Sequence, residues 1–501
     1  MRTIFTNLFQ TYGQFLDHDI DFSPPTADAD GKAIQCCTEE FIENWDVSAI
    51  SGPCFPIEIP VNDNFLKPRR CMNLVRSMEV EDPDLKCQSP VREQKNILTS
   101  FVDGSNVYGN NDERLDKLRL FKDGLMKVSK YGMLPPNPDG VCNKRTDADR
   151  CSLAGDPRVD EHPGLTAYHT IFLRMHNRIA RQLRRINPRW NDERIFQETR
   201  TIVAAILQHI TYNEWLPLVV GTEAARKFRL RSDTNSWHKY NPHIDPRIIN
   251  AFSTAAFRYG HSSVPNEWTY GNKHLPIVDM FMRPFVIYDF KGRGLDLLVE
   301  GMLIDSSQDA DQIFGNGLKN RLFETLLKAG MDLPAINTQR GRDHGLAPYN
   351  EYRKFCGLRP IRFDGSTAQV RALARAYRHP DDVDLYIGGV TETAVPDGVV
   401  GPTFACIIGQ QFFNIKYGDR YWFENLQSPS YHNYHLYNPS ALTRHQVKAI
   451  KDMSMARVLC YTTKVRNVPR QAFLHPKSYK TKVVSCNDNY ALPVLDLTNW
   501  K

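Results

Sequence analysis

The sequence predicts a mainly α-helical fold with few, short strands and long loops stapled by cysteines. Three observations carry that expectation. Apolar residues recur at three-and-four spacing through Leu165, Tyr168, Ile171, Phe172, Met175, Ile179, Leu183 and Ile186, the stripe of one buried helix face. Strand-like alternation is rare and brief. Segments 33–89 and 131–150 are rich in Pro, Asn, Asp and Cys, residues that favour turns over regular ladders.

Taken in order, the first long helix stops at Asn187-Pro188, because proline cannot continue the hydrogen-bond ladder. A second begins near Asp192 and runs through Ile195, Thr199, Ile202, Ile206 and Ile210 before Pro217. An apolar helix from Ile248 leads into Phe257-Arg258-Tyr259-Gly260-His261. Further helices are expected over Leu318 to Lys328 and over Pro402 to Ile415, the latter closed by Gly418. Arg174, Arg178, Arg181, Arg184 and Arg185 read as a solvated helix face. Residues 337–345 read as a charged loop with internal salt bridges.

The 501 residues are 41% hydrophobic and 24% charged, ordinary globular material. Length allows roughly three domains. Composition marks no linker, low-complexity tract or repeat, so one large helical domain fits equally well. A net charge of +6 is spread along the chain, and no nucleic-acid motif accompanies it. No run of 18 apolar residues exists to cross a membrane. The first residues lack the features of a secretory signal. Eleven cysteines, none in a C-x-x-C pattern, nevertheless favour disulfides and an oxidising, extracellular compartment. Together these imply a mature form, a fragment or a trimmed chain.

Five constellations can carry chemistry. In Gly13-Gln14-Phe15-Leu16-Asp17-His18-Asp19, a histidine lies between two carboxylates, which raise its basicity. Gln14 and His18 share one helix face. Thr99, Asp103 and Ser105, with the Phe101 carbonyl, offer the hard oxygens that calcium prefers. Arg158 stands just ahead of a helix, where its fork can meet a developing anion. His261 ends an apolar helix and can ligate a metal through one nitrogen while donating from the other. The fifth is the segment Asn337 to Gly345. Each alone also fits a plainer role: an exposed helix end, a polar turn, a salt bridge or a core histidine.

Together and in order, GQFLDHD, TSFVDGSNVYG, AGDPRVDE, FRYGH, INTQRGRDHG and GPTFACIIGQQF…GDRYWFEN resemble the signature segments of the animal haem peroxidases. The resemblance runs from about residue 10 to Cys486. It implies one mostly helical lobe over residues 1–501, truncated at its N-terminus relative to the family. It makes His18 the distal histidine, with Arg158 and Gln14 as catalytic partners. His261 becomes the proximal haem-iron ligand, and Asn337 accepts a hydrogen bond from its other nitrogen. Arg258 and Arg340 fall near the haem and its propionates. Asp17 and Glu161 match carboxylates that many members esterify to haem b. Asp19, Thr99, Phe101, Asp103 and Ser105 become the calcium ligands.

The implied activity is reduction of hydrogen peroxide and oxidation of a halide, a phenol such as tyrosine, or a similar small donor through an iron-oxo state. The alternative is a non-catalytic extracellular adhesion or matrix protein that retains the fold. The resemblance also suggests bridges Cys142–Cys151, Cys356–Cys406 and Cys460–Cys486, with two more among Cys36, Cys37, Cys54 and Cys71. Cys87 is left over for a disulfide-linked partner. One departure concerns His162, which stands where one branch of the family has a methionine bonded to haem.

Overall fold

The computed structural model describes residues 4–38, 52–80, 91–232, 240–325, 329–425 and 442–501. Helices dominate it. Those that build the core are α1 (Asn7–Ile20), α2 (Pro163–Ile186), α3 (Asp192–Ile210), α4 (Leu216–Lys227), α5 (Asn250–Thr254), α6 (Gly294–Ile304), α7 (Leu333–Asp343), α8 (Pro402–Gly418), α9 (Arg444–Lys451) and α10 (Met455–Thr462). Four two-stranded antiparallel sheets edge the loops: β1 (Ile57–Glu58) with β2 (Cys71–Met72), β3 (Pro136–Asn137) with β4 (Cys151–Ser152), β5 (Glu267–Tyr270) with β6 (Lys273–Pro276), and β7 (Asn467–Pro469) with β8 (Val483–Ser485).

The core forms around α2, which packs against α1, α3, α6 and α10. Its apolar stripe is buried from Leu165 to Leu183, and the helix ends at Asn187 as the sequence predicts. Helix α1 begins at Thr6, whose hydroxyl accepts from the Phe9 N–H. Phe15 stacks on Phe172 at 5.2 Å and on Tyr168 at 5.3 Å. Such pairs add about 0.5–1.5 kcal/mol each beyond area burial. Backbone bonds then seat the base of α1 on distant chain: Thr6 N–H donates to the Phe473 carbonyl, and His475 N–H to the Ile4 carbonyl, each at 3.0 Å.

Four expectations are corrected. The helix predicted to stop before Pro217 continues through a π turn (Thr211–Trp215) into α4. Pro217 sits in the first turn of the new segment, where its missing N–H is tolerated. Segment 337–345 is not a loop: α7 starts at Asp332, whose carboxylate accepts from Ala335 N–H at 2.9 Å, and Pro334 preorganises its first turn. The helix expected over Leu318 to Lys328 reduces to one turn, Asn316–Lys319, because Leu322 leaves to bridge Met331; residues 326–328 lie outside the described set. The basic face of α2 is only partly solvated. Arg174 donates to the carbonyls of Tyr131, Gly132 and Thr462, and Arg178 lies 4.0 Å from the Tyr461 ring.

Five disulfides form: Cys36–Cys54, Cys37–Cys71, Cys142–Cys151, Cys356–Cys406 and Cys460–Cys486. Cys87 lies outside the described residues. Among the described residues, no helix is long and apolar enough to cross a membrane.

Candidate active site

A cavity of about 330 Å³ opens between α1, the turn Pro157–Asp160 and the 3₁₀ run Ala256–Ser263. Gln14, Asp17 and His18 face it from α1. Arg158 and Glu161 join them from the entry to α2, and Arg258, His261 and Arg340 line the rest. Trp215 of the π turn closes one side. Gly13 lets it approach, since a Cβ there would stand 2.9 Å from the indole.

His18 is 3% exposed. Burial, then the Arg158 charge, holds its imidazole well below the ordinary range, so it is neutral and basic at one nitrogen. Its Nδ1 lies 3.7 Å from Asp156 Oδ1 and its Nε2 3.9 Å from Glu161 Oε2. Arg158 is clamped. Its Nε donates to Asp156 Oδ1 at 3.0 Å, its Nη2 to Asp156 Oδ2 at 2.8 Å and to the Asp21 carbonyl at 3.1 Å. The guanidinium also covers the Phe22 ring at 4.3 Å. Burial works to raise the Asp156 carboxyl, yet Arg158 and His18 bring it down to about 2. Burial lifts Asp17 to about 8, aided by Asp21, and Glu161 to about 7 against the pull of Arg158.

On the opposite wall, Asn337 Nδ2 donates to His261 Nδ1 at 2.8 Å, so Nδ1 accepts and the neutral ring carries its hydrogen on Nε2, the reverse of the acceptance by Asn337 that the resemblance implies. Burial, then Arg258, takes His261 down to about 3, so it too is neutral. Asn337 is fully buried behind it and accepts from Arg258 Nη1 at 3.3 Å. Arg340 is held by Asp343 Oδ2 and the Val75 carbonyl, each at 2.8 Å.

Asp19 points away from the cavity into the turn that follows Phe101. Its Oδ2 accepts from Gly104 N–H at 3.1 Å, and its Oδ1 from the Ser105 hydroxyl at 3.0 Å. Asp103 accepts from Ser105 N–H at 2.9 Å, and the Thr99 hydroxyl lies 3.5 Å from the Phe101 carbonyl. Burial and the facing Asp103 push Asp19 up to about 8. A sealed carboxyl and a half-buried one amid hydroxyl and carbonyl oxygens are a donor set that suits a hard divalent cation.

The structure thus brings the sequence-derived residues together in two adjoining places. Asp156 stands inside the AGDPRVDE segment. Its spacing two residues before Arg158, behind a proline, is the signal that finds it. His162 was read only as a departure, and Trp215 had no local signal at all.

A neutral imidazole on each wall, a clamped guanidinium and two carboxyls meet at one cavity. They suit a large acidic group that carries a metal. The family model for animal haem peroxidase matches residues 1–473. Myeloperoxidase of Mus musculus is 36% identical over 99% of this chain and 68% of its own length. Chorion peroxidase of Drosophila melanogaster is 36% identical over 98% of this chain and 61% of its own. The solved peroxidase A from Dictyostelium discoideum superposes with a TM-score of 0.73 at 29% identity, covering 93% of this chain and 86% of that one. A fatty acid alpha-dioxygenase from Oryza sativa, 19% identical with a TM-score of 0.69, shares the fold. The chain belongs to the animal haem peroxidases, oxidoreductases that act on peroxide.

Proposed function

We propose that the chain reduces hydrogen peroxide in the cavity between His18 and His261 and oxidises a small second donor, a halide or a phenol. The carrying observation is a neutral, buried His18 next to a guanidinium fixed by Asp156, facing a neutral His261. Haem b supplies, when bound, the iron at which peroxide is opened and the oxidising power passed to the donor. His261 would hold that iron through Nε2 once the Asn337 amide turns to accept from Nδ1. Arg258 and Arg340 neutralise the acidic side chains of the group. His18 takes a proton from the incoming peroxide and returns it to the departing oxygen. Arg158 stabilises negative charge as the O–O bond breaks, and its clamp means that no reorganisation is needed then. Gln14 adds an amide to the same wall.

Asp17 and Glu161 are the carboxyls placed for ester links. Asp19, Thr99, the Phe101 carbonyl, Asp103 and Ser105 would hold calcium, which would pin the end of α1 that carries His18. Five disulfides favour an extracellular setting, and residues 1–501 act as one catalytic domain.

The test is an absorption spectrum of the calcium-loaded protein before and after peroxide, followed by acid-acetone extraction. A Soret band that shifts with peroxide supports the reading, and retention on extraction supports the esters. No Soret band after haem reconstitution overturns it.

A further inference from the structure

We infer that His162 is a positioning residue that fixes which edge of the Gln14 amide faces the cavity, an assignment that rests on the peroxidase reading above. His162 precedes α2 at the N-cap position, but its side chain makes no cap. The ring is instead 6% exposed and held edge-on to Trp268 at 5.2 Å. Gly164 makes room for both rings: a Cβ there would lie 2.7 Å from Trp268 and 3.1 Å from His162.

His162 Nε2 lies 2.9 Å from Gln14 Oε1, an atom that only accepts, so this ring nitrogen carries the hydrogen. Gln14 Nε2 in turn donates to Glu161 Oε2 at 2.9 Å, and that oxygen lies 3.9 Å from His18 Nε2. The relay therefore runs from His162 through Gln14 to Glu161. Reversing the amide would set Gln14 Oε1 against Glu161, and a carboxyl that is ionised or esterified there only accepts. The second hydrogen of Gln14 Nε2 remains for the cavity, so an anion or peroxide oxygen that enters meets an N–H edge.

Burial takes His162 down to about 3, so it keeps one hydrogen at any ordinary pH. Its Nδ1 is sealed and has no partner among the described residues. An unmatched buried acceptor destabilises the fold, and an apolar side chain of similar size would avoid the loss. Its presence is accounted for by the donor at Nε2.

Two measurements test this. In protein labelled with ¹⁵N-histidine, the His162 resonance, assigned by its loss in His162→Gln, is expected to report a hydrogen on Nε2 and none on Nδ1. A hydrogen on Nδ1 overturns the inference whether or not haem is bound. In the ferric holoprotein, bromide is titrated and read at the Soret band. His162→Leu is expected to weaken bromide about tenfold, or about 1.4 kcal/mol. His162→Gln, whose amide also donates, stays within about threefold of the parent. His162→Leu that binds bromide as tightly as the parent, at equal haem content and melting temperature, overturns the inference. A parent whose Soret band ignores peroxide instead sinks the peroxidase reading and leaves the tautomer result to stand by itself.

Discussion

Replacing Asp156 by Asn leaves an oxygen for the Arg158 backbone N–H but removes the charge that holds its guanidinium at two points. Asp156→Asn is expected to lower the rate of reaction with peroxide by about 10²-fold, the scale of losing one preorganised charge partner. Stopped-flow mixing at matched haem content measures it, and an unchanged rate means that Phe22 and the Asp21 carbonyl hold the fork alone. In the neighbouring cradle, Asp103→Ala is expected to release bound calcium and lower the melting temperature. Metal analysis checks it, and unchanged calcium content would remove Asp103 from the ligand set. The sequence made His18, Arg158, His261 and Asn337 legible because each lies inside a contiguous motif. It hid the His162 role because the partner, Gln14, lies 148 residues away, and no local pattern encodes that meeting.

Between α3 and α4, the π turn presents Trp215 to the cavity and Glu214 to the other side. Trp215 Nε1 donates to the Phe9 carbonyl at 3.0 Å, and Tyr12 meets Thr211 at 2.8 Å, so the turn is bolted to α1. Glu214 accepts from Met455 N–H at 3.1 Å through one oxygen, while the other is sealed without a partner among the described residues. Burial raises this carboxyl from 4.5 to about 8. Ionising it is harder in the folded chain than in the unfolded one. The contribution of this carboxyl to stability is therefore full below about pH 4.5 and falls as pH rises toward 8. Glu214→Gln keeps the acceptor for Met455 and is expected to flatten that fall, gaining about 1–3 kcal/mol at pH 8. Urea unfolding at pH 5 and pH 8 decides: parallel losses in parent and variant refute it. The periodicity of α2 and α3 was readable because packing enforces it. The π turn was not, since Pro217 signals an end unless the ladder widens before it. Segment 337–345 misled as to its helical backbone but not as to its internal salt bridge: Arg340 pairs with Asp343 at 2.8 Å, while Arg342 reaches Asp384 at 2.8 Å.

One hydrophobic cluster runs through the molecule from α1 to α10, and disulfides tie α8 through Cys406 and α10 through Cys460 to the chain around it. Cys356–Cys406 closes a separation of 50 residues, and its removal by paired serines is expected to reduce stability by about 4 kcal/mol. Urea unfolding without reductant measures this, and a loss under about 1 kcal/mol would show that the unfolded loop is already constrained. The helical class and the spans of α2 and α8 were legible at this scale. The seat of α1 was not, because the Thr6 hydroxyl donates to the Ala472 carbonyl across 466 residues. That seat bears on the order of events at the ribosome. The anchor of the helix that carries His18 is translated 466 residues after Thr6, roughly 20–90 s later at ordinary elongation rates. Until then the base of α1 lacks the seat that it has in the fold.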